Sequence, residues 1–99
     1  MAEFKLTNKA IADLAQIWNY TFDTWSEYQA DKYYEMLISA CSEIAANPTR
    51  GKIYEGISEG LFGMRTNRHI IFYRILNESL IEITRILHES MDLKMRIEE

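Results

Sequence analysis

His69-Ile70-Ile71-Phe72-Tyr73-Arg74 is followed, after a short polar break, by Leu80-Ile81-Glu82-Ile83-Thr84-Arg85-Ile86-Leu87-His88. The first run is apolar on both of its alternating faces, so it reads as a central strand over His69 to Leu76. The second alternates Ile81 and Ile83 with Glu82 and Thr84, the pattern of a strand with one wetter face over Leu80 to Leu87. Asn77-Glu78-Ser79 between them is far too short for a crossover, so the two strands must be antiparallel neighbours. Working outward, Leu61 to Thr66 precedes the central strand across the turn Thr66-Asn67-Arg68. Lys52 to Ile57 precedes that across Ser58-Glu59-Gly60. Four short antiparallel strands therefore fill the chain beyond residue 52.

Pro48, the only proline, divides this strand-rich half from a helical one. Ala2 to Leu6 reads as an opening strand, with Phe4 and Leu6 alternating against Glu3 and Lys5. Thr7 or Asn8 is placed to cap a helix whose apolar face is Ile11, Leu14, Ala15, Trp18, Phe22 and Trp25. Ser26-Glu27-Tyr28-Gln29 has the form of a capping box that opens a second helix. Its stripe is Ala30, Tyr33, Tyr34, Leu37, Ala40, Cys41, Ile44 and Ala45. Asn47-Pro48 ends it, because proline drives the preceding residue out of helical geometry. The expected fold is α+β with the order β-α-α-β-β-β-β. An N-terminal helical hairpin covers one face of a mainly antiparallel sheet. Glu89 to Ile97 forms a short C-terminal helix or a tail. The uncovered sheet face is the expected place for function.

Ninety-nine residues suit a single domain spanning 1–99, and 47% hydrophobic with 12% aromatic residues suffices for a core. The formal charge of −4 argues against a general nucleic-acid binder, which relies on neutralising phosphates. Cys41 has no partner for a disulfide and falls in the second helix's apolar stripe, so it reads as core in a reducing compartment. The N-terminus lacks the pattern of a signal peptide, and no stretch approaches the ~18 apolar residues of a membrane span. A cytoplasmic protein is expected.

No motif announces a cofactor or a metal, since His69 and His88 are the only histidines and no second cysteine or glycine-rich phosphate loop accompanies them. Antiparallel pairing brings the two histidines into one neighbourhood. Arg65, Arg68, Arg74 and Arg85 lie on or beside the strands. Guanidinium groups near a histidine suit phosphoryl chemistry, and equally they suit pairing with the 15 acids. Arg85 follows Ile81 and Ile83 at alternate spacing, so it is expected to be partly buried, in an ion pair or a partner contact. Trp18 and Trp25 read as anchors of the hairpin, whereas an exposed Trp25 would indicate a partner contact. Met91, Leu93 and Met95 form an apolar patch expected against the sheet edge.

These residues resemble the RelE/ParE superfamily of bacterial type II toxins, and within it the ParE branch. The resemblance is carried by Ala12-Asp13-Leu14, Ile17-Trp18-Asn19-Tyr20-Thr21, Trp25 with Gln29-Ala30, Asn47-Pro48, Gly51-Lys52 and Gly63-Met64-Arg65. It continues through His69-Ile70-Ile71-Phe72-Tyr73-Arg74 and Arg85-Ile86-Leu87-His88-x-x-Met91-Asp92, over about nine-tenths of the chain. It implies a toxin held inactive by a ParD-like antitoxin whose C-terminal segment folds on binding. ParE-type members are described as poisons of DNA gyrase, whereas RelE-type members cut messenger RNA on the ribosome. The acidic balance, and the absence of any tyrosine beyond Tyr73, favour a binding toxin without catalytic residues of its own. The alternative is an endoribonuclease using His88 and Tyr73 for proton transfer and Arg65 and Arg85 on the phosphate. Candidate contacts to target or antitoxin are Trp18, Trp25, Arg65, Arg68, His69, Tyr73, Arg74, Arg85, His88 and Met91. No membrane, and no sequence-specific nucleic-acid contact by the toxin alone, is implied. The chain departs from the family at Asn8-Lys9, where many relatives have Ser-Pro, and at Phe62, where many have a basic residue.

Overall fold

The computed structural model describes residues 3–99, so Ala2 of the expected opening strand lies outside the described residues. In chain order it contains β1 (Glu3–Leu6), α1 (Asn8–Thr24), α2 (Glu27–Ala46), a 3-10 turn (Pro48–Arg50) and β2 (Lys52–Ile53). Then follow β3 (Phe62–Thr66), β4 (His69–Asn77), β5 (Leu80–His88) and α3 (Leu93–Glu98). The sheet order is β1-β5-β4-β3-β2, which puts the doubly apolar β4 at its centre. All pairings are antiparallel except that of β1, which joins β5 in parallel with Phe4 opposite Ile81 and Leu6 opposite Ile83. β3, β4 and β5 follow one another through two-residue turns.

Local signals set the helix boundaries. The Thr7 hydroxyl accepts from the Ala10 N–H at 3.1 Å and donates to the Thr84 carbonyl at 2.8 Å. It thus caps α1 and fastens its start to β5. Ser26 accepts from the Gln29 N–H, opening α2, and Asn47 closes it. Asn67 takes φ +56° in the tight β3–β4 turn, a conformation asparagine tolerates better than most residues.

The helical hairpin packs on one sheet face. Ala10, Leu14, Leu37, Cys41, Ile44 and Ala45 meet Ile71, Tyr73, Ile81, Ile83 and Ile86. Cys41 is fully buried, and that burial pushes its thiol up to about 12, so it serves as a small apolar side chain. The inward face of α1 differs from the one expected. Ala10, Asp13, Leu14 and Ile17 face inward, while Ile11, Phe22 and Trp25 are exposed. The helix is thus rotated by about one position, or roughly 100°. On α2 the expected stripe is buried at Ala30, Leu37, Cys41, Ile44 and Ala45 and partly buried at Tyr33 and Ala40, whereas Tyr34 is exposed.

Two strand-half expectations also change. β2 spans only Lys52–Ile53, because Tyr54 to Leu61 folds back as a loop rather than continuing to Ile57. Tyr54 and Ile57 from that loop, with Leu93 and Ile97 of α3, cover Leu61, Ile70, Phe72 and Leu87. The second sheet face is therefore closed, not open. Burying Phe72 and Leu87 is worth more than leaving a two-sided strand wet on one side, at ~1.5–3 kcal/mol for each large apolar side chain removed from water.

Candidate functional site

Function must be sought where the sheet is left without a neighbour. β1 pairs with β5 only as far as Ile83, so the outer edge of β5 from Thr84 to His88 has no strand beside it. Helix α1 leans over this edge, and between them runs a groove of about 790 Å³. Bare strand edges invite unwanted pairing. Here Asp13 occupies the edge, accepting the Ile86 N–H at 3.0 Å. The same carboxylate receives Arg85 Nε at 2.8 Å and Nη2 at 3.0 Å, a bidentate pair in which both side chains are about nine-tenths buried. Donating to the Asp13 carboxylate raises the Arg85 pKa, outweighing the opposing effect of burial. The remaining Nη1 donates to the Arg96 carbonyl at 2.5 Å, so one guanidinium joins α1, β5 and α3. A β-bulge between Phe72 and Tyr73 places Arg85 opposite Phe72 and Ile83 opposite Tyr73, which breaks the simple alternation.

The two ends of the groove differ. The end near the hairpin turn carries two strongly exposed aromatics, Tyr20 at 68% and Trp25 at 74%, and Ile17 and Met91 add apolar lining to the groove. The other end holds Tyr33, Arg68, His69 and His88. The Tyr33 hydroxyl lies 2.6 Å from His69 Nδ1, and the His69 and His88 rings meet edge to face at 5.3 Å. Burial, and then the neighbouring His88, lowers the His69 pKa from 6.5 to about 4. Burial raises that of Tyr33. Both groups are therefore neutral near pH 7.

This shift makes stability depend on pH. Above pH 6.5 the ring is neutral whether the chain is folded or not, and the site costs nothing. Between 6.5 and about 4 the unfolded ring binds a proton that the folded ring refuses, so stability falls as pH falls. The ring is only half-buried, so solvent screening reduces the expected loss to about 1–2 kcal/mol. Urea midpoints of the protein and of His69→Gln, compared from pH 7.5 to 4, should converge toward low pH. Parallel pH profiles would refute the assignment.

The groove gathers Trp25, Arg68, His69, Arg85, His88 and Met91 among the residues expected to make contacts. Four others lie elsewhere. Trp18 stacks on Phe22 and donates its indole N–H to Asp31. Arg65 pairs with Glu89, which also meets Arg68 at 3.4 Å. Arg74 holds the loop through the Glu59 carbonyl and the Ser58 hydroxyl. Tyr73 is fully buried, and its hydroxyl donates to the Pro48 carbonyl at 2.6 Å and accepts the Gly51 N–H at 3.2 Å. Its role is to brace the α2–β2 connection, with no surface to offer a partner. A side chain at Gly51 would collide with that phenol. Arg85 proves to be the ion-pair member. Sequence reasoning missed Asp13, Tyr20 and Tyr33 as parts of the site. An acid between Ala10 and Leu14 on the buried face was the available signal for Asp13, because a buried carboxylate demands a cation.

Among the described residues no helix is long and apolar enough to cross a membrane. The family model described as the ParE toxin of the type II toxin-antitoxin system parDE matches residues 4–93. A protein named Toxin ParE1 from Mycobacterium tuberculosis is 35% identical over 92 residues, covering 93% of this chain and 94% of its own length. Another Toxin ParE1, from Caulobacter vibrioides, is 32% identical over 97 residues, covering 98% and 99%. Two solved structures share the fold at 20% identity. One belongs to the chromosomal ParDE system of P. aeruginosa (TM-score 0.77, covering 89% of this chain and 96% of that one). The other belongs to the toxin-antitoxin complex RelBE2 of Mycobacterium tuberculosis (TM-score 0.70, covering 89% and 98%). With the family model spanning nearly the whole chain and both relatives above 30% identity, this chain belongs to the ParE toxin family of type II toxin–antitoxin systems.

Proposed function

We propose that this chain is a cytoplasmic, single-domain toxin that inhibits DNA gyrase by protein–protein contact and is neutralised by a ParD-like antitoxin. The observation that carries the binding reading is the dispersal of the side chains a nuclease would need. Tyr73 is sealed against Pro48 and Arg65 is engaged by Glu89, both away from the groove, and Arg85, which lines the groove with His88, is held by Asp13. General acid–base chemistry requires its groups within hydrogen-bond reach of one substrate. The names of the relatives and the titles of the similar structures support an antitoxin partner. The groove offers that partner a place, because exposed aromatics beside a strand edge suit an amphipathic segment that folds on docking. Purified gyrase, titrated with the toxin, should lose supercoiling activity, and the antitoxin should restore it. Unchanged supercoiling, with no cleaved DNA complex at large toxin excess, would count against gyrase as the target.

One observation favours the second reading, a ribosome-dependent endoribonuclease. His69, His88 and Arg68 share one end of the groove. Primer extension on translated messenger RNA would then show discrete cuts that vanish in His88→Ala.

A further inference from the structure

We propose that His69 and His88 form an acceptor-seeking end of the groove that receives a carboxylate side chain of the antitoxin, whose apolar residues fill the Tyr20–Trp25 end. The proposal rests on reading the groove as the antitoxin's dock.

The hydrogen bonds set the tautomers. His88 Nδ1 accepts the Ser90 backbone N–H at 3.1 Å, so in the neutral ring the proton sits on Nε2. For His69, the Tyr33 hydroxyl lies 2.6 Å from Nδ1, and we take this phenol, whose pKa burial raises, as the donor to that nitrogen. The His69 proton is thereby also placed on Nε2. Among the described residues neither Nε2 has a protein hydrogen-bond partner, and no polar side-chain atom is buried without one. Both Nε2–H groups therefore reach open space, and both residues line the groove. The two residues are directly opposed across β4 and β5, so the donors are held by a rigid ladder rather than by loops.

Two adjacent donors without an acceptor define what must arrive. The carboxylates nearby are already engaged, Asp13 by Arg85 and Glu89 by Arg65 and Arg68. Arg68 and Arg96 also line the groove, each in a long, partly exposed ion pair with Glu89 and Glu99, and their guanidiniums keep further N–H donors that favour an anionic acceptor over a neutral carbonyl. A carboxylate presents two oxygens to two N–H groups. A nucleic-acid phosphate would satisfy the same donors, but the walls also present Ile17, Tyr20, Leu87 and Met91 among uncharged polar side chains such as Gln16 and Gln29, and the chain carries a net charge of −4. Largely apolar walls with one donor-rich end match a peptide of mixed apolar and acidic residues.

The antitoxin encoded beside this gene is the probe, measured by calorimetry against the toxin, His88→Phe and His88→Gln. His88→Phe should weaken binding about tenfold, and His88→Gln, which keeps an N–H donor, should recover most of it. Replacing each antitoxin Asp or Glu in turn by Asn or Gln should reveal one position with the same tenfold loss, and no further loss in His88→Phe. Tight binding with no acidic position coupled to His88 would overturn the proposal and leave the dock intact. If the antitoxin does not bind at all, the dock reading fails, and a second arm still decides the chemistry. In NMR titrations of the toxin alone, 4-phenylbutyrate should shift the His69 and His88 ring signals and the Trp25 indole, and 4-phenylbutyramide should shift only Trp25. Equal effects of acid and amide on the histidines would overturn the carboxylate site. A short RNA oligonucleotide shifting those rings at lower concentration than the carboxylate would assign the end to nucleic acid instead.

Discussion

Asp13→Ala should destabilise the fold by about 3–5 kcal/mol, a large share of what a domain of this size possesses. The loss has two sources. Arg85 would remain about nine-tenths buried with its main counter-charge gone, and the Ile86 N–H would lose its acceptor. The guanidinium could not easily swing out to water, because Nη1 is also held by the Arg96 carbonyl. Asp13→Asn keeps an oxygen for Ile86 but not the charge, and should cost roughly half as much. Asp13→Ala combined with Arg85→Leu should recover part of the loss, since removing both charges leaves none uncompensated. Urea denaturation at pH 7 measures all three. A cost below about 1 kcal/mol for Asp13→Ala would show that the pair is only a surface ornament.

The same pair marks where sequence reading stops. The elements of this fold are written locally. Thr7, Ser26 and Asn47-Pro48 each bound a helix by chemistry confined to a few residues. The two-sided apolar run at Ile70 to Tyr73 announces the centre of the sheet without further context. What is not local is the rotation of α1. Ile11, Leu14, Trp18 and Phe22 make as regular a stripe as Ala10, Leu14, Ile17 and Thr21, and the more hydrophobic set would be chosen on sequence alone. The structure turns the smaller set inward because Ala10 permits close approach to the sheet, and Asp13 answers both Arg85 and the bare edge of β5. That choice depends on a contact across 72 positions of sequence.

The misplaced stripe is also why the site was only partly legible. A rotation of roughly 100° converts Trp25 and Phe22 from core into surface. The two histidines were accessible to pattern reasoning, because a tight turn puts His69 and His88 at matching distances along paired strands. The bulge at Phe72/Tyr73 was not accessible, so the alternation that placed Arg85 with Ile83 carried one residue too far. Closure of the second sheet face was equally hidden. Tyr54 and Ile57 look like strand residues until Gly56 and Gly60, the latter at φ +73°, let the chain double back over Phe72.

Exposed aromatics beside an edge protected by an internal carboxylate suggest a division of labour along the groove. Asp13 holds the Ile86 N–H, so an incoming segment cannot use that group for strand addition and gains more of its affinity from side-chain burial. Tyr20 and Trp25 are the largest apolar surfaces offered there. The double variant Tyr20→Ser/Trp25→Ser should therefore lose more than a hundredfold in antitoxin affinity, since each buried aromatic anchor is worth ~2 kcal/mol or more at an interface. Folding stability should change by no more than about 0.5 kcal/mol, because neither side chain belongs to either core cluster. Calorimetry with the antitoxin and urea denaturation of the toxin alone separate the two effects. A loss of affinity below threefold in a stably folded variant would move the dock off this groove. On the proposed gyrase reading, a variant that also fails to inhibit gyrase would mean that target and antitoxin compete for the same aromatic surface and that neutralisation is direct occlusion. If inhibition persists and the antitoxin no longer relieves it, the two partners use separate faces, and neutralisation must act through the groove on a surface elsewhere.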